Sequence, residues 1–194
     1  MAHHAGSQSA STVAQTWRMR NQRRPAPPLD QAGLDRLALR YVERFATTRG
    51  RLADYLRRKI RERGWEGAPA DPAALAERLA GLGYIDDRAF AEARATAMAR
   101  RGLGARRVTD ALRHARVEAD DMDAVAPEVA ERAPEAALAF ARRKRFGPFA
   151  AARADRELMS KQLAAMARAG HGYDLSRRIL DLPPGVDVTP DELT

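Results

Sequence analysis

Leu82 to Arg113 reads LGYIDDRAFAEARATAMARRGLGARRVTDALR, and the architecture follows from how it is parsed. Asp86 suits a helix N-cap, because its carboxylate can accept from the first backbone N–H groups, which have no partner inside the helix. Ile85 and Phe90 stand at the N′ and N4 positions of a hydrophobic staple. Phe90, Ala93, Ala97 and Met98 keep a helical period, and Arg100 and Arg101 suit the negative end of the helix dipole. Gly102 and Gly104 break that helix. Arg106, Val108, Ala111 and Leu112 begin another.

Working outward, the same punctuation gives nine short helices. Leu34, Leu37, Leu39, Tyr41, Val42 and Phe45 form the first. Leu52, Tyr55, Leu56 and Ile60 form the second, ending at Gly64. Asp71-Pro72 starts the third as N-cap and N1 proline, and Leu75, Leu79 and Leu82 carry it to Gly83. The stretch above supplies the fourth and fifth. A weaker sixth lies around Asp121 to Arg132, with Met122, Val125 and Val129 for a face and Pro127 blurring it. Pro134 opens a seventh, which ends in Arg142-Arg143-Lys144-Arg145. The eighth runs from about Arg153 to Gly170, and the ninth contains Tyr173, Leu175, Ile179 and Leu180. Runs of β-branched and aromatic residues are absent, so sheet is not expected.

Three helix ends share one pattern: Ile60-x3-Gly64-Trp65, Leu112-x3-Arg116-Val117 and Met166-x3-Gly170-His171. From 64 to 116 is 52 residues, and from 116 to 170 is 54. The chain therefore divides into three tandem three-helix modules, residues 33–83, 84–133 and 134–182. The fold class expected is all-α, an elongated array whose units bury their faces against one another. Residues 1–32 read as a disordered basic arm carrying Arg18, Arg20, Arg23 and Arg24, with Trp17, His3 and His4 lacking evident partners. Residues 183–194 read as a flexible tail. Arg116 stands where the repeat wants glycine, at a cost of roughly 1 kcal/mol if its backbone is left-handed.

The 194 residues carry a net charge of +8 and no cysteine. Disulfide and thiol chemistry are excluded. No apolar run approaches the roughly 20 residues of a membrane helix, so a cytoplasmic protein is expected. Asp86-Asp87 could pair for metal or acid–base work, but adjacent residues at a helix start diverge, and capping is favoured. His114 and His171 are isolated, which suggests surface or capping roles. The glycines lack the residues of a phosphate loop. No enzyme, cofactor or metal site is read.

The residues Gly83-Tyr84-Ile85-Asp86-Asp87, Phe90-Ala91, Arg101-Gly102-Leu103-Gly104, Arg107-Val108 and Leu112 resemble the RecX family, the regulatory proteins of the RecA recombinase. The likeness covers about residues 33 to 182. It departs at Thr47-Thr48-Arg49, where many members have a Ser-x-x-Glu start, and at His171, where an aromatic is usual. The resemblance implies a monomeric protein that binds RecA and the RecA–DNA filament and restrains recombinase, ATPase and co-protease activity. Its partners would include single- and double-stranded DNA, without sequence preference.

The arginine sets are the candidate contacts: Arg57, Arg58 and Arg61; Arg100, Arg101, Arg106, Arg107 and Arg113; Arg142, Arg143, Lys144 and Arg145; Arg177 and Arg178. Arginine pairs bidentately with phosphate and carboxylate alike, and these cations are expected to gather along one side of the array. Gly83, Tyr84, Asp86, Asp87, Phe90, Gly102 and Gly104 are assigned structural roles. The alternative is a stand-alone DNA regulator that uses the helix–Gly–helix at 87–113 as a helix-turn-helix, with Arg106, Arg107 and Arg113 in the groove.

Overall fold

A computed structural model describes residues 27–193. The expectations for Trp17, His3, His4 and the four arm arginines therefore lie outside the described residues. Among those described there are nine α-helices and no strand. They are α1 Gln31–Arg44, α2 Arg49–Arg63, α3 Pro72–Gly81, α4 Asp87–Arg100, α5 Ala105–His114, α6 Ala119–Glu131, α7 Ala133–Lys144, α8 Arg156–Arg168 and α9 Tyr173–Asp181.

Local chemistry sets the starts. The Asp30, Thr48, Asp71, Asp86 and Asp155 side chains each accept from a backbone N–H two or three residues on. Asp155 moves the start of α8 to Arg156, three residues later than the sequence suggested. α6 runs through Pro127, which sits on its exposed side.

Each successive helix triplet encloses its own buried cluster. Leu34, Leu52 and Leu56 centre the first, Ala91, Val108 and Leu112 the second, and Met166, Ile179 and Ala137 the third. The staple expected at Asp86 splits between two of them: Ile85 packs in the first cluster and Phe90 against the second. Both ends of the array hold more tightly than expected. Leu29 is buried in the first cluster, so order begins before residue 33. Residues 183–193 are a strap pinned to the third unit rather than a loose tail, because two of their apolar side chains find cover. Val188 and Leu193 are buried in the third cluster, and Gly185 N donates to the Pro148 carbonyl at 2.8 Å.

The second helix of each triplet, α2, α5 and α8, meets the next end to end. The Thr48 hydroxyl, at the N-cap of α2, donates to the carbonyl of Ala115, the C-cap of α5. Gly104 N, at the N-cap of α5, donates to the carbonyl of Ala169, the C-cap of α8, at 2.9 Å. At the second joint backbone N–H groups of α5, those of Gly104 and Arg106, meet the carbonyls that end α8. At the first the N-cap hydroxyl makes the bond, and the Arg49 N–H is taken by Asp87. Both joints set the N-terminus of one helix against the C-terminus of another. The repeated motif of the sequence marks the carbonyl side of these joints. Val117 N reaches Leu112 O, and His171 N reaches Met166 O, both at 3.1 Å, closing the same left-handed helix cap. The first copy differs, because Leu29 takes the place of a further unit: Leu29 N donates to Gly64 O at 3.0 Å and Glu66 N to Leu29 O at 2.8 Å.

Arg49 rivets the first joint. Its backbone N–H and Nε hold the two Asp87 carboxylate oxygens at 2.9 and 3.2 Å, and its other nitrogens reach Glu77, Glu118 and Asp121. Burial opposes the charge on Arg49, but the Asp87 bond and the surrounding carboxylates outweigh it and raise its pKa. Asp87 is thus a structural anion, and Asp86 beside it is the cap.

Candidate polyanion-binding surface

All fourteen cations named from the sequence are exposed. Ion pairing divides them. Arg57, Arg58, Arg113 and Arg177 pair with Asp54, Glu62, Asp110 and Asp181 respectively. Arg178 donates to the Leu193 carbonyl, so it clamps the C-terminal strap. The other nine have no carboxylate partner within 4.0 Å among the described residues. Arg61 lies at the first joint, Arg101, Arg106, Arg107 and Arg143 meet at the second, and Arg100, Arg142, Lys144 and Arg145 flank these in sequence at the ends of α4 and α7.

At the first joint α2 presents Arg57, Arg58 and Arg61 within one turn. The fold adds residues that the sequence did not assign: Arg51 from the first turn of α2, Tyr41 and Tyr55, and His114 and Arg116 from the end of α5. Together they line an open cleft of about 560 Å³. Five guanidiniums face one carboxylate there, Asp54, which is shared between Arg57 at 3.0 Å and Arg116 at 3.1 Å. The local potential is positive enough to hold the Glu62 carboxyl below its ordinary range, chiefly through the Lys59 hydrogen bond and further through the charges of Lys59, Arg58 and Arg61.

Arg116 carried a signal in the sequence, as an arginine where the repeat has glycine. Its φ of 58° shows that the conformational cost is borne. Gly50 makes room for it: a Cβ there would lie 2.4 Å from that of Arg116.

The second joint brings together Arg101, Arg106, Arg107 and Arg143. Arg143 donates to the Arg101 carbonyl at 2.7 Å and lies 5.4 Å from the centre of the Phe140 ring. Arg106 N donates to Gly170 O at 3.2 Å, and Arg107 packs on Gly170, where any Cβ would come within 2.6 Å of it. Arg142 lies over Phe149, and Arg145 ends α7 in the left-handed conformation with φ 56°. Arg100 and Lys144 stand nearby in sequence and are exposed. His171, read from the sequence as a surface or cap residue, takes part in the cap of α8 and is buried inside this joint. Its Nε2 faces the Gly102 carbonyl at 3.2 Å, and its buried Nδ1 has no partner among the described residues. Burial lowers its pKa, only partly offset by the Gly102 carbonyl, and so favours the neutral ring.

The helix-turn-helix alternative meets a steric obstacle. Recognition helices read bases with their N-terminal residues, yet the N-terminus of α5 is seated on unit three, with a Gly104 Cβ position 2.4 Å from the Gly170 carbonyl. Of the remaining residues assigned structural roles, Gly83 holds a left-handed turn at φ 80° after α3, and Tyr84 beside it is half-exposed. Among the described residues no cluster of His, Asp or Glu could hold a metal ion, and no helix is long and apolar enough to cross a membrane.

The fold and surface define a tandem helical-repeat protein that concentrates unpaired guanidinium groups at the joints between its units. Over 163 residues the chain is 32% identical to the regulatory protein RecX of Myxococcus xanthus, covering 78% of this chain and 86% of that protein. It is 28% identical over 147 residues to the regulatory protein RecX of Agrobacterium fabrum, covering 74% and 79%. The chain belongs to the RecX family of regulatory proteins. No family model and no solved structure matches it.

Proposed function

We propose that this protein is a non-catalytic, monomeric, cytoplasmic regulator that binds RecA and the RecA–DNA filament and restrains recombinase, ATPase and co-protease activity. Membership of the RecX family supports the class of activity. The observation that carries the contact surface is the placement of cations without a carboxylate partner at both joints, Arg51 and Arg61 at the first and Arg101, Arg106, Arg107 and Arg143 at the second. A phosphate backbone or an acidic protein groove presents charge at intervals, and cations spaced by a helical repeat meet it without reading bases. The three units are proposed to act as modules along one filament.

A monomer is supported by the ends of the array. Leu29 closes the Gly64 turn, and α8 carries Asp155 and Glu157 at the N-cap and N2 positions where α5 and α2 carry Gly104 and Gly50. Those side chains would obstruct a further end-to-end joint.

RecA's DNA-dependent ATP hydrolysis, measured with increasing amounts of the protein, tests the reading. A saturable fall is expected. An unchanged rate at saturating protein, with no co-sedimentation on RecA–single-stranded DNA filaments, would overturn it.

A further inference from the structure

The cleft at the first joint holds more than charge. Tyr41 and Tyr55 stack with ring centres 4.3 Å apart and planes at 27°. Phe45 extends the row, 5.3 Å from Tyr41, with 50% of its surface exposed. Arg58 and Lys59 lie 5.6 and 5.8 Å from the centre of the Tyr55 ring, and Arg44 lies 5.7 Å from that of Phe45. An acidic peptide would need the guanidiniums but has no use for a row of aromatic rings beside them. A nucleotide has both a phosphate and a flat π-face, and stacking on aromatic side chains tolerates any base. In a duplex those faces are already stacked on their neighbours.

The geometry points to this cleft as a binding site for an unpaired nucleotide unit. Its phosphate is held by Arg51 and Arg61, with Arg116 in support, and its base stacks on the Tyr41–Tyr55 pair that lines the cleft, with Phe45, next to Tyr41, extending the aromatic surface beyond the lining residues. The cleft's volume of about 560 Å³ falls in the range of small-ligand sites, roughly 300–1,000 Å³. This assignment rests on the polyanion-binding reading above and names its ligand. The unit is either a residue of a single strand or a free nucleoside polyphosphate.

The test uses the full chain and the fluorescence anisotropy of a labelled oligothymidylate, with unlabelled duplex, adenosine triphosphate and polyglutamate as competitors. Tyr55→Leu keeps the apolar packing and removes the ring. It is expected to weaken strand binding about tenfold, in line with roughly 1–3 kcal/mol per stacked base, with the slope of log affinity against log salt unchanged. Arg61→Ala is expected to flatten that slope by about 0.7. Phe45→Ser, at a half-exposed position, gives a second stacking variant whose fold is not at risk, and it is expected to weaken binding about threefold.

Competition by the triphosphate at the strand's own concentration supports the site and makes the free nucleotide its source. Failure of the triphosphate to compete, with the tyrosine effect intact, supports a strand residue. Unchanged affinity in both Tyr55→Leu and Phe45→Ser overturns the proposal. So does competition by duplex or polyglutamate, charge for charge, as strong as that by the strand. RecA's ATP hydrolysis, read in the same samples with the unaltered chain, judges the regulatory reading separately.

Discussion

Arg116 shows a single residue set against its own backbone. Its left-handed φ costs roughly 1 kcal/mol relative to glycine, and its ion pair with Asp54 is exposed on both sides, worth about 0.2–1 kcal/mol at most. Stability alone therefore favours glycine, which is what the equivalent positions 64 and 170 carry. Arg116→Gly should leave the fold unharmed or raise its stability by up to about 0.5 kcal/mol, while weakening polyanion binding at the cleft. Denaturant melts and salt-dependent binding on the same variant would show the two effects moving in opposite directions. A loss of stability above about 1 kcal/mol would mean that the Asp54 pair holds the joint. The sequence exposed this position as an anomaly in the repeat. It could not show Gly50 on the other side of the joint, because 66 residues separate the two.

At the scale of helices, most starts and stops were legible because each has a chemical marker: Asp71-Pro72, Asp86, Pro134 and the glycines at 64, 83, 102 and 170. The reading is weakest where a marker misleads. Pro127 blurs the pattern of α6, yet the helix continues through it as the span of about 121–132 expected, since Met122, Val125 and Val129 pack in the second cluster on both sides of it. A proline in a helix interior is disfavoured by roughly 3 kcal/mol relative to alanine, partly offset because proline also restricts the unfolded chain. Pro127→Ala should raise stability by about 1–2 kcal/mol, seen as a higher melting temperature without a change in binding. A lower melting temperature would show that a kink at Pro127 is needed to seat α7.

Ile85 was misassigned for another reason. Periodicity tells which face of a helix is apolar but not which neighbour covers it, and at a boundary between units the cover came from the preceding triplet. The same blindness hid the C-terminal strap, whose acidic surroundings mask Val188 and Leu193.

His171 illustrates how a joint senses its environment. Its buried Nδ1 has no partner among the described residues, its ring lies 5.5 Å from that of Phe140, and burial makes a proton there costly, only partly offset by the Gly102 carbonyl. Because the folded pKa lies below the ordinary value of about 6.5, the unfolded chain binds the proton first. The His171 contribution is complete above pH 6.5 and is lost as pH falls through and below it. His171→Phe, which restores the aromatic usual at this position, should flatten the stability profile between about pH 6.5 and 5, the interval above carboxylate titration. An unaltered slope there would assign acid sensitivity elsewhere.

For the whole molecule, the decisive arrangement is the column α8–α5–α2, and it was only half legible. The 52- and 54-residue spacing located three equivalent turns, but nothing in one chain's periodicity says that the N-terminus of one central helix sits on the turn of the next. The side chains allow it only because glycine stands on the incoming side. At the second joint Gly104 has no tolerance: its added Cβ would lie 2.4 Å from both the carbonyl carbon and oxygen of Gly170, which are backbone atoms and cannot swing aside. In a linear array each unit is stabilised by its own core and by its neighbours, so breaking one joint should uncouple a unit rather than unfold everything.

Gly104→Ala is therefore expected to cost about 1–3 kcal/mol and to separate unit three as an earlier calorimetric transition. It should also weaken the polyanion contact built from Arg101, Arg107 and Arg143. The nucleotide site at the first joint would be spared, so oligothymidylate binding should still respond to Tyr55→Leu in the Gly104→Ala background. Gly81→Ala is the control, since nothing lies within 4 Å of its Cβ position, and it should melt at or slightly above the unaltered chain. A single transition at an unchanged temperature in Gly104→Ala would mean that the α7 contacts with α4 and α6, not the central column, bind the third unit to the second.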